Sequence, residues 1–572
     1  MKKARRNFIK QTSLVATAFT FPQGYYLANG FSNKNSKPEI LQKLSELNDK
    51  HIEHLLEMQI NDPNSPWHGG LSNAYDIPNA HSTYGLIVRL GNSYASPYSD
   101  YFQDKRLEKP LEMAAKCLCN VQYEDGTIDL YSTNFHSTPD TAFVVNYLSP
   151  IYKVLKEMDQ AGLAGFLENM SVFLGNTAKC LAIGGIHTPN HRWVVCSALA
   201  WVNSFFPDPK LLSRIDEWLS EGIDQDPDGQ YTEQSVSIYS PVCDDMFLTL
   251  GKLLNRPDLL EVVRKNLDMT LYYIQPGGEV LTDASNRQDN AKIGYVSNYY
   301  YAYRYFALMD KNPTYAAVCA LIEQEMPEKI TRYISELLED PIFENELVTA
   351  SKIPDQYFKR FKHSGVFRIR NGITDLSVIE GNPTFMTMMV GSAVLQSIRI
   401  AAAFFGWRGQ FTSQEAKTEG NKIILTMSQV HGYFQPYPEG EIPDADMDMD
   451  GRPQRKMSEV QKMNYKIEIS EKVGQAIVDI QIDGTKNVPV SMELSFRDGG
   501  ELKGVTTIPG SPNAYFLESG FGKYTHGNHS INFGPGKAEH KWAQIRGMLP
   551  KQKGESVYIT GYTPFNYILQ LN

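Results

Sequence analysis

The sequence contains few cysteines, no long uninterrupted apolar run and no excess of basic residues. Six cysteines in 572 residues do not indicate a disulfide framework in a chain of this size, and their apolar neighbours predict buried free thiols. The formal net charge of −10 argues against a nucleic-acid partner, because phosphate contact needs a basic surface. The apolar fraction of 42% and the charged fraction of 21% predict a globular chain.

The N-terminus resembles a twin-arginine export signal. Arg5 and Arg6 are followed by Phe8 and Lys10, and a modest apolar stretch occupies residues 14–21. That stretch is too short and too polar to span a bilayer, so we expect no membrane insertion. We expect residues 1–30 to be a targeting segment outside the fold and the protein to be periplasmic or extracellular. The alternative is a basic tail without regular structure.

Residues 38–345 show the periodicity of helices. Apolar residues recur at intervals of three and four from Ile40 to Leu56, and loops rich in Gly, Pro, Asn and Asp separate similar segments further on. Six antiparallel pairs of such helices would close an α/α toroid. No sharp repeat indicates a short-period solenoid. The further predicted helices are 81–92, 107–120, 141–156, 161–180, 191–204, 208–222, 240–254, 256–272, 294–308, 313–324 and 327–339.

After Pro354 the pattern becomes that of strands. Apolar and basic residues alternate at 366–370, and Gly-rich turns separate the later runs. These runs predict an antiparallel β-sandwich over residues 355–572. Helices followed by strands predict an α+β chain with two domains, helical at 38–345 and sheet-forming at 355–572. The later predicted strands are 422–427, 465–469, 476–480, 488–494, 515–517 and 557–559.

Neither the acidic residues nor the histidines predict a catalytic metal. Residues 439–450 alternate acidic side chains with small or apolar ones. This segment is either a solvated loop or a calcium loop, although it lacks the invariant glycine of the EF-hand pattern. The twelve histidines are scattered, and no pair has ligand spacing on one helix or turn. We therefore expect no catalytic metal and no cofactor.

Two short stretches in the helical part combine residues suited to one reaction. Asn190 and His191 are adjacent, and Tyr239 ends the segment 228–239. An amide and an imidazole can neutralise a sugar carboxylate, and a tyrosine can exchange a proton with the carbon beside it. Together these groups could eliminate a glycosidic bond next to a uronic acid. Each also has an ordinary explanation, because Asn-His pairs occur in turns and tyrosines occur in cores and at rims.

The order Asn-His, then Asp-Gly-x-x-x-Glu-x-Ser-x-x-x-Tyr, resembles that of polysaccharide lyases built on an α/α toroid. These are the hyaluronate and chondroitin AC lyases, heparinase III and the toroid alginate lyases. In the chondroitin and hyaluronate branch a catalytic His occupies the position of Gln234. In the alginate and heparinase III branch the His directly follows the Asn, as His191 follows Asn190. The metal-binding His-x-His-type segment often found in the sheet domain of heparinase II/III relatives is not visible here.

The resemblance implies a toroid followed by a sandwich and an enzyme that cleaves a uronic-acid polysaccharide by β-elimination. In these families an Arg on a later toroid loop lies near the Tyr, and Arg287 is the candidate here. A fixed positive charge beside Tyr239 would favour its phenolate. Alternatively, Arg287 is a structural residue paired with Asp283 or Asp289.

The relative positions of the proton and the leaving group on the sugar ring decide which residue is the base. Where both lie on one face of the sugar, Tyr239 can take the proton and then protonate the leaving oxygen. Where they lie on opposite faces, His191 would become the base. Gln234 cannot titrate, which favours Tyr239 in both roles.

Further residues are predicted to bind an anionic polysaccharide or oligosaccharide. Because the chain is acidic overall, such a ligand must meet a local basic lining. Several of these residues have structural alternatives: Ser137 or Asp140 could cap the helix after His136, Trp193 could lie in the core, and Arg192 could brace Glu233. The predicted substrate-binding residues are His136, Arg192, Trp193, Glu233, Gln234, Trp67, Trp407 and Arg408.

Two other functions remain open at this point. One is a glycoside hydrolase on the same scaffold that uses paired carboxylates, with Asp140, Glu233 and Asp283 as the candidates. The other is a glycan-binding protein without catalysis, because a fold alone supports all three functions.

Overall fold

A computed structural model describes residues 37–440 and 455–572 of the chain. The predicted export segment at 1–30 lies outside the described residues, as does the acidic loop beyond Gly440. In the described ranges, no helix combines the length and the apolar character needed to cross a membrane.

Helices make up the first part of the described chain, close to the predicted positions. One difference is the predicted helix at 294–308, which starts as a short strand and a 3₁₀ turn and becomes α-helical at Tyr300. Another is the segment Pro327–Tyr333, which is a 3₁₀ helix. The α-helices are α1 Lys37–Asp49, α2 Ile52–Met58, α3 Ala80–Ala95, α4 Glu108–Val121, α5 Thr138–Glu157, α6 Ala164–Ile183, α7 Asn190–Phe205, α8 Pro209–Ser220, α9 Tyr239–Leu253, α10 Pro257–Thr270, α11 Tyr300–Met309, α12 Pro313–Glu325 and α13 Ile334–Glu339.

The helices form an inner and an outer layer. Helices α3, α5, α7, α9 and α11 pack side by side in chain order, and each packs against the following helix, α4, α6, α8, α10 or α12. Inner α7 is buried over most of its length, whereas outer α8 buries only Leu211 and Ile215. The described residues thus contain five inner–outer pairs, one fewer than the six predicted, while α1 and α13 pack together and against α3.

Short strands interrupt the helical part at two places that the sequence did not predict. Strands β1 (Ile128–Leu130) and β2 (Asn134–Ser137) form a hairpin immediately before α5. Strands β3 (Glu279–Val280) and β4 (Gly294–Tyr295) pair across the loop that contains Arg287.

The second part of the chain folds into two large sheets. The eight-stranded sheet has the order β10-β11-β12-β13-β21-β19-β18-β15, and the nine-stranded sheet has the order β16-β17-β20-β14-β9-β8-β7-β6-β5. All pairs are antiparallel except β17 with β20, which is parallel and departs from the wholly antiparallel prediction. The strands are β5 Gln356–Phe361, β6 Val366–Asn371, β7 Thr374–Ile379, β8 Met386–Val390, β9 Ala393–Ala402, β10 Glu415–Glu419, β11 Lys422–Phe434, β12 Met457–Lys472, β13 Gln475–Gly484, β14 Pro489–Phe496, β15 Glu501–Lys503, β16 Thr506–Thr507, β17 Ala514–Phe516, β18 Gly522–His526, β19 His529–Gly534, β20 Glu555–Tyr562 and β21 Phe565–Leu571.

Two large hydrophobic cores and a small cluster of Ala514, Phe516 and Tyr558 stabilise the described residues. The helical core extends from Ile40 to Val366, and the sheet core, from Phe367 to Leu571, contains residues of both sheets. The cysteines behave as predicted: none forms a disulfide, and Cys117, Cys180, Cys196, Cys243 and Cys319 are buried, while Cys119 is partly exposed.

Polar contacts fix the sheets against the loops at one end of the inner helices. Arg497, just after β14, donates two hydrogen bonds to Glu279, at 2.7 and 2.8 Å. One oxygen of Asp228 accepts from the backbone N–H groups of His363 and Ser364, at 2.5 and 3.1 Å. The sheets therefore hold both loops that surround Tyr239.

Candidate active site

Asn190 and His191 are the first two residues of α7. The preceding Pro189 has no N–H and a helical φ, so it begins a helix readily and provides no side-chain cap. The Asn190 N–H donates to Glu233 Oε1 at 2.9 Å, and its side-chain amide donates to the same oxygen at 2.6 Å. Glu233 thus replaces the missing cap at the positive end of the helix.

His191 is a buried imidazole. Its ring meets Phe143 and His187 edge-on, with centroids 5.9 and 4.7 Å away. Burial and the neighbouring His187 lower its pKa to about 4, although Asp140 opposes the shift. His191 is therefore neutral at neutral pH, so of the two forms the sequence left open, the imidazole rather than the imidazolium is present.

Tyr239 is the first residue of α9. Its N–H donates to Ser235 Oγ at 3.2 Å, and its phenolic oxygen accepts a hydrogen bond from the Gln288 side chain at 2.5 Å. The Arg287 guanidinium lies 5.4 Å from the centre of the Tyr239 ring. The phenol is only partly buried, so it remains accessible from the cleft.

Glu233 connects the two halves of the motif. Its Oε1 accepts from Asn190, and its Oε2 lies 3.3 Å from Arg287 Nε. Arg287 in turn contacts the Tyr239 ring. The alternative partners Asp283 and Asp289 do not pair with this arginine within the described residues.

Buried polar atoms of this cluster lack hydrogen-bond partners in residues 37–440 and 455–572. Native proteins seldom bury polar atoms in this state, except where a ligand or water meets them. They mark a candidate binding site at the start of α7. The atoms are Asn190 Oδ1 and His191 Nδ1. Glu233 Oε2 and Arg287 Nε also form no hydrogen bond, but they face each other at 3.3 Å as an ion pair.

Asp289 organises the loops around Tyr239, a role that the sequence did not reveal. Its two carboxylate oxygens accept from the Ser235 hydroxyl, the Ser237 N–H and the Ser285 hydroxyl, at 2.9 to 3.0 Å. The buried carboxylate thereby joins the segment before Tyr239 to the segment that carries Arg287 and Gln288.

The Asp-Gly of the motif makes a tight turn. Gly229 has a φ of 104°, and a Cβ there would lie 2.5 Å from the Lys265 carbonyl oxygen. Asp226 accepts from the N–H groups of Gly229 and Gln230, both at 2.9 Å. The glycine therefore serves the shape of the loop and not the chemistry.

Gln234 occupies the left-handed region, with a φ of 46°. Its side-chain oxygen accepts from Asn286 at 2.6 Å, and its carbonyl accepts from the Asn286 N–H. This residue ties the Tyr239 segment to the Arg287 loop. A role in substrate binding stays a prediction.

His136 and Trp67 lie on an aromatic rim beside the β1–β2 hairpin. The His136 ring stacks on Tyr123 at 3.8 Å, and its Nδ1 lies 3.1 Å from Asp125. Trp67 meets the exposed Tyr131 edge-on at 5.8 Å. Ser137 caps α5, as the structural alternative stated, because its hydroxyl accepts the Asp140 N–H.

Two predicted substrate-binding residues face away from the site. Trp193 has 0% exposure and donates its indole N–H to Asp224, so it is a core residue without a free face. Arg192 does not brace Glu233. It pairs with Glu221 and Asp224 and stacks on Trp193, because α7 turns it towards the outer helix.

Trp407 and Arg408 belong to a turn of the sheet part. Trp407 is 73% exposed, and the Arg408 guanidinium lies 5.3 Å from its ring. Their contacts in the described chain are with each other and with neighbouring sheet residues, so the predicted reach across the cleft stays a prediction.

The three carboxylates proposed for a hydrolase have separate environments. Burial acts to raise the pKa of Asp140, but hydrogen bonds from His81, Ser137 and Asn134 outweigh burial and lower that pKa to about 2. Burial raises the pKa of Asp283 to about 6, and Arg497 opposes the shift. Glu233 is engaged by Asn190 and Arg287. Each carboxylate therefore has partners of its own.

Metal-binding geometry does not occur in the described ranges: no group of three or more His, Cys, Asp or Glu side chains is placed to hold an ion. The calcium alternative for residues 439–450 falls almost wholly outside those ranges.

Solved structures of polysaccharide lyases resemble this chain, whereas no protein-family model and no curated protein matches its sequence. Heparinase III is 10% identical with a TM-score of 0.54, and the match covers 95% of this chain and 87% of that one. Paenibacillus xanthan lyase is 10% identical with a TM-score of 0.56, covering 95% of this chain and 58% of that one. A Streptomyces coelicolor A3 chondroitin AC lyase, solved with chondroitin sulphate, is 12% identical with a TM-score of 0.52, covering 95% and 80%.

The chain therefore has the fold of these polysaccharide lyases, over both its helical and its sheet part. The resemblance read from the sequence is confirmed at the level of the fold.

Proposed function

We propose that the protein is a lyase that cleaves a uronic-acid glycan by β-elimination. The inner–outer helix pairs at residues 38–345 would form an α/α toroid that carries the site, and the two sheets at 355–572 would form a sandwich behind it. Residues 1–30 would direct export, which suits an enzyme whose substrate is a polysaccharide.

One observation carries this proposal: Asn190 and Tyr239 begin neighbouring inner helices and are joined through Glu233 and Arg287. The sequence could supply only their order. An arrangement that brings an amide, a neutral imidazole, a phenol and a guanidinium to one place fits elimination beside a carboxylate.

The substrate carboxylate would face Asn190 and His191. One N–H of the Asn190 amide is used by Glu233, and the other has only Thr188 Oγ1 at 3.3 Å, so it can turn to the ligand. A neutral His191 contributes one further N–H. These donors, with the Arg287 charge, would stabilise the dianion that forms when the adjacent carbon loses its proton.

Tyr239 would move the proton. Its phenolate takes the proton from C5, the released electron pair forms the C4–C5 double bond, and the bond from C4 to the leaving oxygen breaks. The same phenol then protonates that oxygen. Gln288 donates to the Tyr239 oxygen, which stabilises the phenolate between the two transfers. A substrate with proton and leaving group on opposite faces would need His191 as the base.

Product chemistry tests the proposal against the alternatives. The protein is incubated with a panel of uronate polysaccharides, and ultraviolet absorbance of the C4–C5 double bond is followed. Elimination produces this absorbance, hydrolysis produces new reducing ends without it, and a binding protein produces neither. Reducing ends without absorbance would overturn the lyase proposal and return Asp140, Glu233 and Asp283 to consideration.

A matched substrate tests the role of the carboxylate. The polymer that is cleaved is compared with its carboxyl-reduced, neutral form. Because Asn190 and His191 address the acid group, the reduced form should not be cleaved. Equal turnover of the two forms would contradict the uronate assignment.

A further inference from the structure

Arg332 lies beside the inner helices α3, α5 and α9, near the end of the 3₁₀ segment Pro327–Tyr333. Its guanidinium donates to the Tyr333 hydroxyl at 2.5 Å and covers the Tyr333 ring at 4.5 Å. Tyr333 itself is buried and donates to the Asn298 carbonyl at 2.7 Å. The guanidinium is thus held from one side, while the residue as a whole remains exposed to solvent.

The charge of Arg332 is not neutralised by its neighbours. Within the described ranges no carboxylate comes within 4.0 Å of it. Asp245 and Glu336 are acids whose pKa values the charge of Arg332 affects. Burial raises the pKa of Asp245 to about 8 and that of Glu336 to about 7, with Arg332 opposing both shifts. These acids are therefore largely or partly protonated at neutral pH, and the guanidinium keeps its charge for another anion.

Aromatic side chains connect Arg332 to the candidate active site. Burial raises the pKa of both Tyr84 and Tyr147, and the charge of Arg332 opposes that shift. The two tyrosine rings stack with their centres 5.4 Å apart. Tyr147 lies 6.4 Å from Phe143, which meets His191 at 5.9 Å. Phe143 and Tyr147 are one helical turn apart on α5, so a continuous row of rings leads from the neighbourhood of Arg332 to His191.

A small cavity of about 20 Å³ lies beside Asp245 and Glu336, and Asn146 and Thr249 are among its other lining residues. That is room for roughly one water molecule and not for a sugar ring. A sugar would therefore meet Arg332 from its solvent-exposed side.

We propose that Arg332 binds the carboxylate or sulfate of the sugar next to the one whose acid group faces Asn190 and His191. Tyr84, whose ring stacks on Tyr147, would lie beside that sugar, as aromatic rings do in glycan sites. The inference rests on the proposed function and narrows its substrate to glycans with acid groups on successive sugars. A guanidinium suits either anion because both accept two parallel hydrogen bonds.

Equilibrium binding tests this proposal separately from catalysis. Tyr239→Phe and Tyr239→Phe/Arg332→Gln are titrated by calorimetry with three hexasaccharides. Alginate has a carboxylate on every sugar, chondroitin sulphate alternates carboxylate and sulfate, and hyaluronate alternates carboxylate with a neutral sugar. Arg256→Gln, which removes an outer arginine paired with Asp258, is the matched control in the same background.

We expect Arg332→Gln to weaken binding of alginate or chondroitin sulphate by about tenfold or more, and that of hyaluronate by less than about twofold. A loss confined to alginate identifies a carboxylate, and a loss confined to chondroitin sulphate identifies a sulfate. Unchanged affinities, an equal loss for all three, or no binding of any of them to the Tyr239→Phe protein would overturn the proposal.

A second variant separates binding from folding. Arg332→Lys keeps the charge but not the planar fork, so it should bind the doubly acidic ligand with intermediate affinity. Thermal unfolding of each variant shows whether the fold persists. If wild-type protein binds the acidic glycan through Arg332 but releases no unsaturated product, the lyase proposal fails and the Arg332 site stands.

Discussion

Asn190 donates both its backbone N–H and its side-chain amide to a single oxygen of Glu233. The other oxygen of Glu233 faces Arg287. The Glu233 carboxylate therefore orients the Asn190 amide at the start of α7 and the Arg287 guanidinium beside α9. The sequence placed Glu233 among the substrate-binding residues, and these contacts favour a positioning role for it.

Glu233→Gln should separate the two groups that Glu233 holds. The new amide can still accept from Asn190, but it offers Arg287 no negative charge. We expect turnover to fall by about 10- to 100-fold through misplaced donors, and the free energy of unfolding to fall by about 1–3 kcal/mol. The assay is unsaturated-product formation together with urea unfolding. Glu221→Gln, which affects only an outer pair with Arg192, should change neither, and equal effects of the two variants would contradict this role.

Tyr239→Phe removes one oxygen and retains the ring. If the phenol transfers the proton, turnover should fall by about 10²- to 10⁴-fold while glycan binding and folding persist. The absorbance assay gives the rate, and calorimetry gives the affinity. Tyr433→Phe, at an exposed position of β11, serves as the control. A Tyr239→Phe protein that keeps more than about a tenth of wild-type turnover would show that another group moves the proton.

Gln288→Glu places an acceptor where the Tyr239 oxygen now receives a hydrogen bond. A carboxylate there disfavours the phenolate, so we expect a slower reaction at neutral pH and an acidic limb of the pH–rate profile that moves to higher pH. Gln288→Ala should also slow the reaction, but it should move the acidic limb of the pH–rate profile less than Gln288→Glu does. The profile is measured from about pH 6 to about pH 11.5 for both variants, a range that extends beyond the ordinary tyrosine pKa of about 10. The exposed control Gln481→Glu should leave the acidic limb of the profile unchanged. If Gln288→Glu also leaves it unchanged, Gln288 does not interact with the Tyr239 oxygen during the reaction.

His191 should make the fold less stable in acid. Its pKa is about 4 in the folded chain and 6.5 for an unperturbed histidine, so between these values the unfolded chain binds the extra proton and stability falls as pH falls. Relative to His191→Gln, wild-type protein should lose about 2 kcal/mol of unfolding free energy between about pH 7 and about pH 4.5. Urea titrations at both pH values measure the difference. A constant difference between the two proteins would mean that His191 titrates normally.

The sequence predicted most of the helices because their periodicity is local. Helices α5, α7 and α9 begin within three residues of their predicted starts. In the two large sheets it predicted β6, β11, β12, β13, β14, β17 and β20 and missed the other strands, including β5, the first one after Pro354. The hairpin β1–β2 was missed because its strands have three and four residues in a polar segment, too few to show alternation.

The site was predictable only where a motif fixed it. Asn190 and Tyr239 are connected through Glu233 and Arg287, yet the direction of a side chain on a helix depends on its neighbours. Arg192 follows His191 by one residue and points about 100° away from it around α7, as the 3.6-residue period requires, where it pairs with Asp224. Arg332 had no motif around it, and only the fold brings its charge near Tyr84, Tyr147 and Asp245.

Asp228 belongs to the segment that ends at Tyr239, yet it accepts hydrogen bonds from the turn between β5 and β6. The natural point for joining the halves of two related proteins is thus not the loop between the last helix and the first strand. A chimera cut there would pair one parent's turn with the other parent's carboxylate. Exchanges that carry residues 226–239 together with the β5–β6 turn would preserve the match.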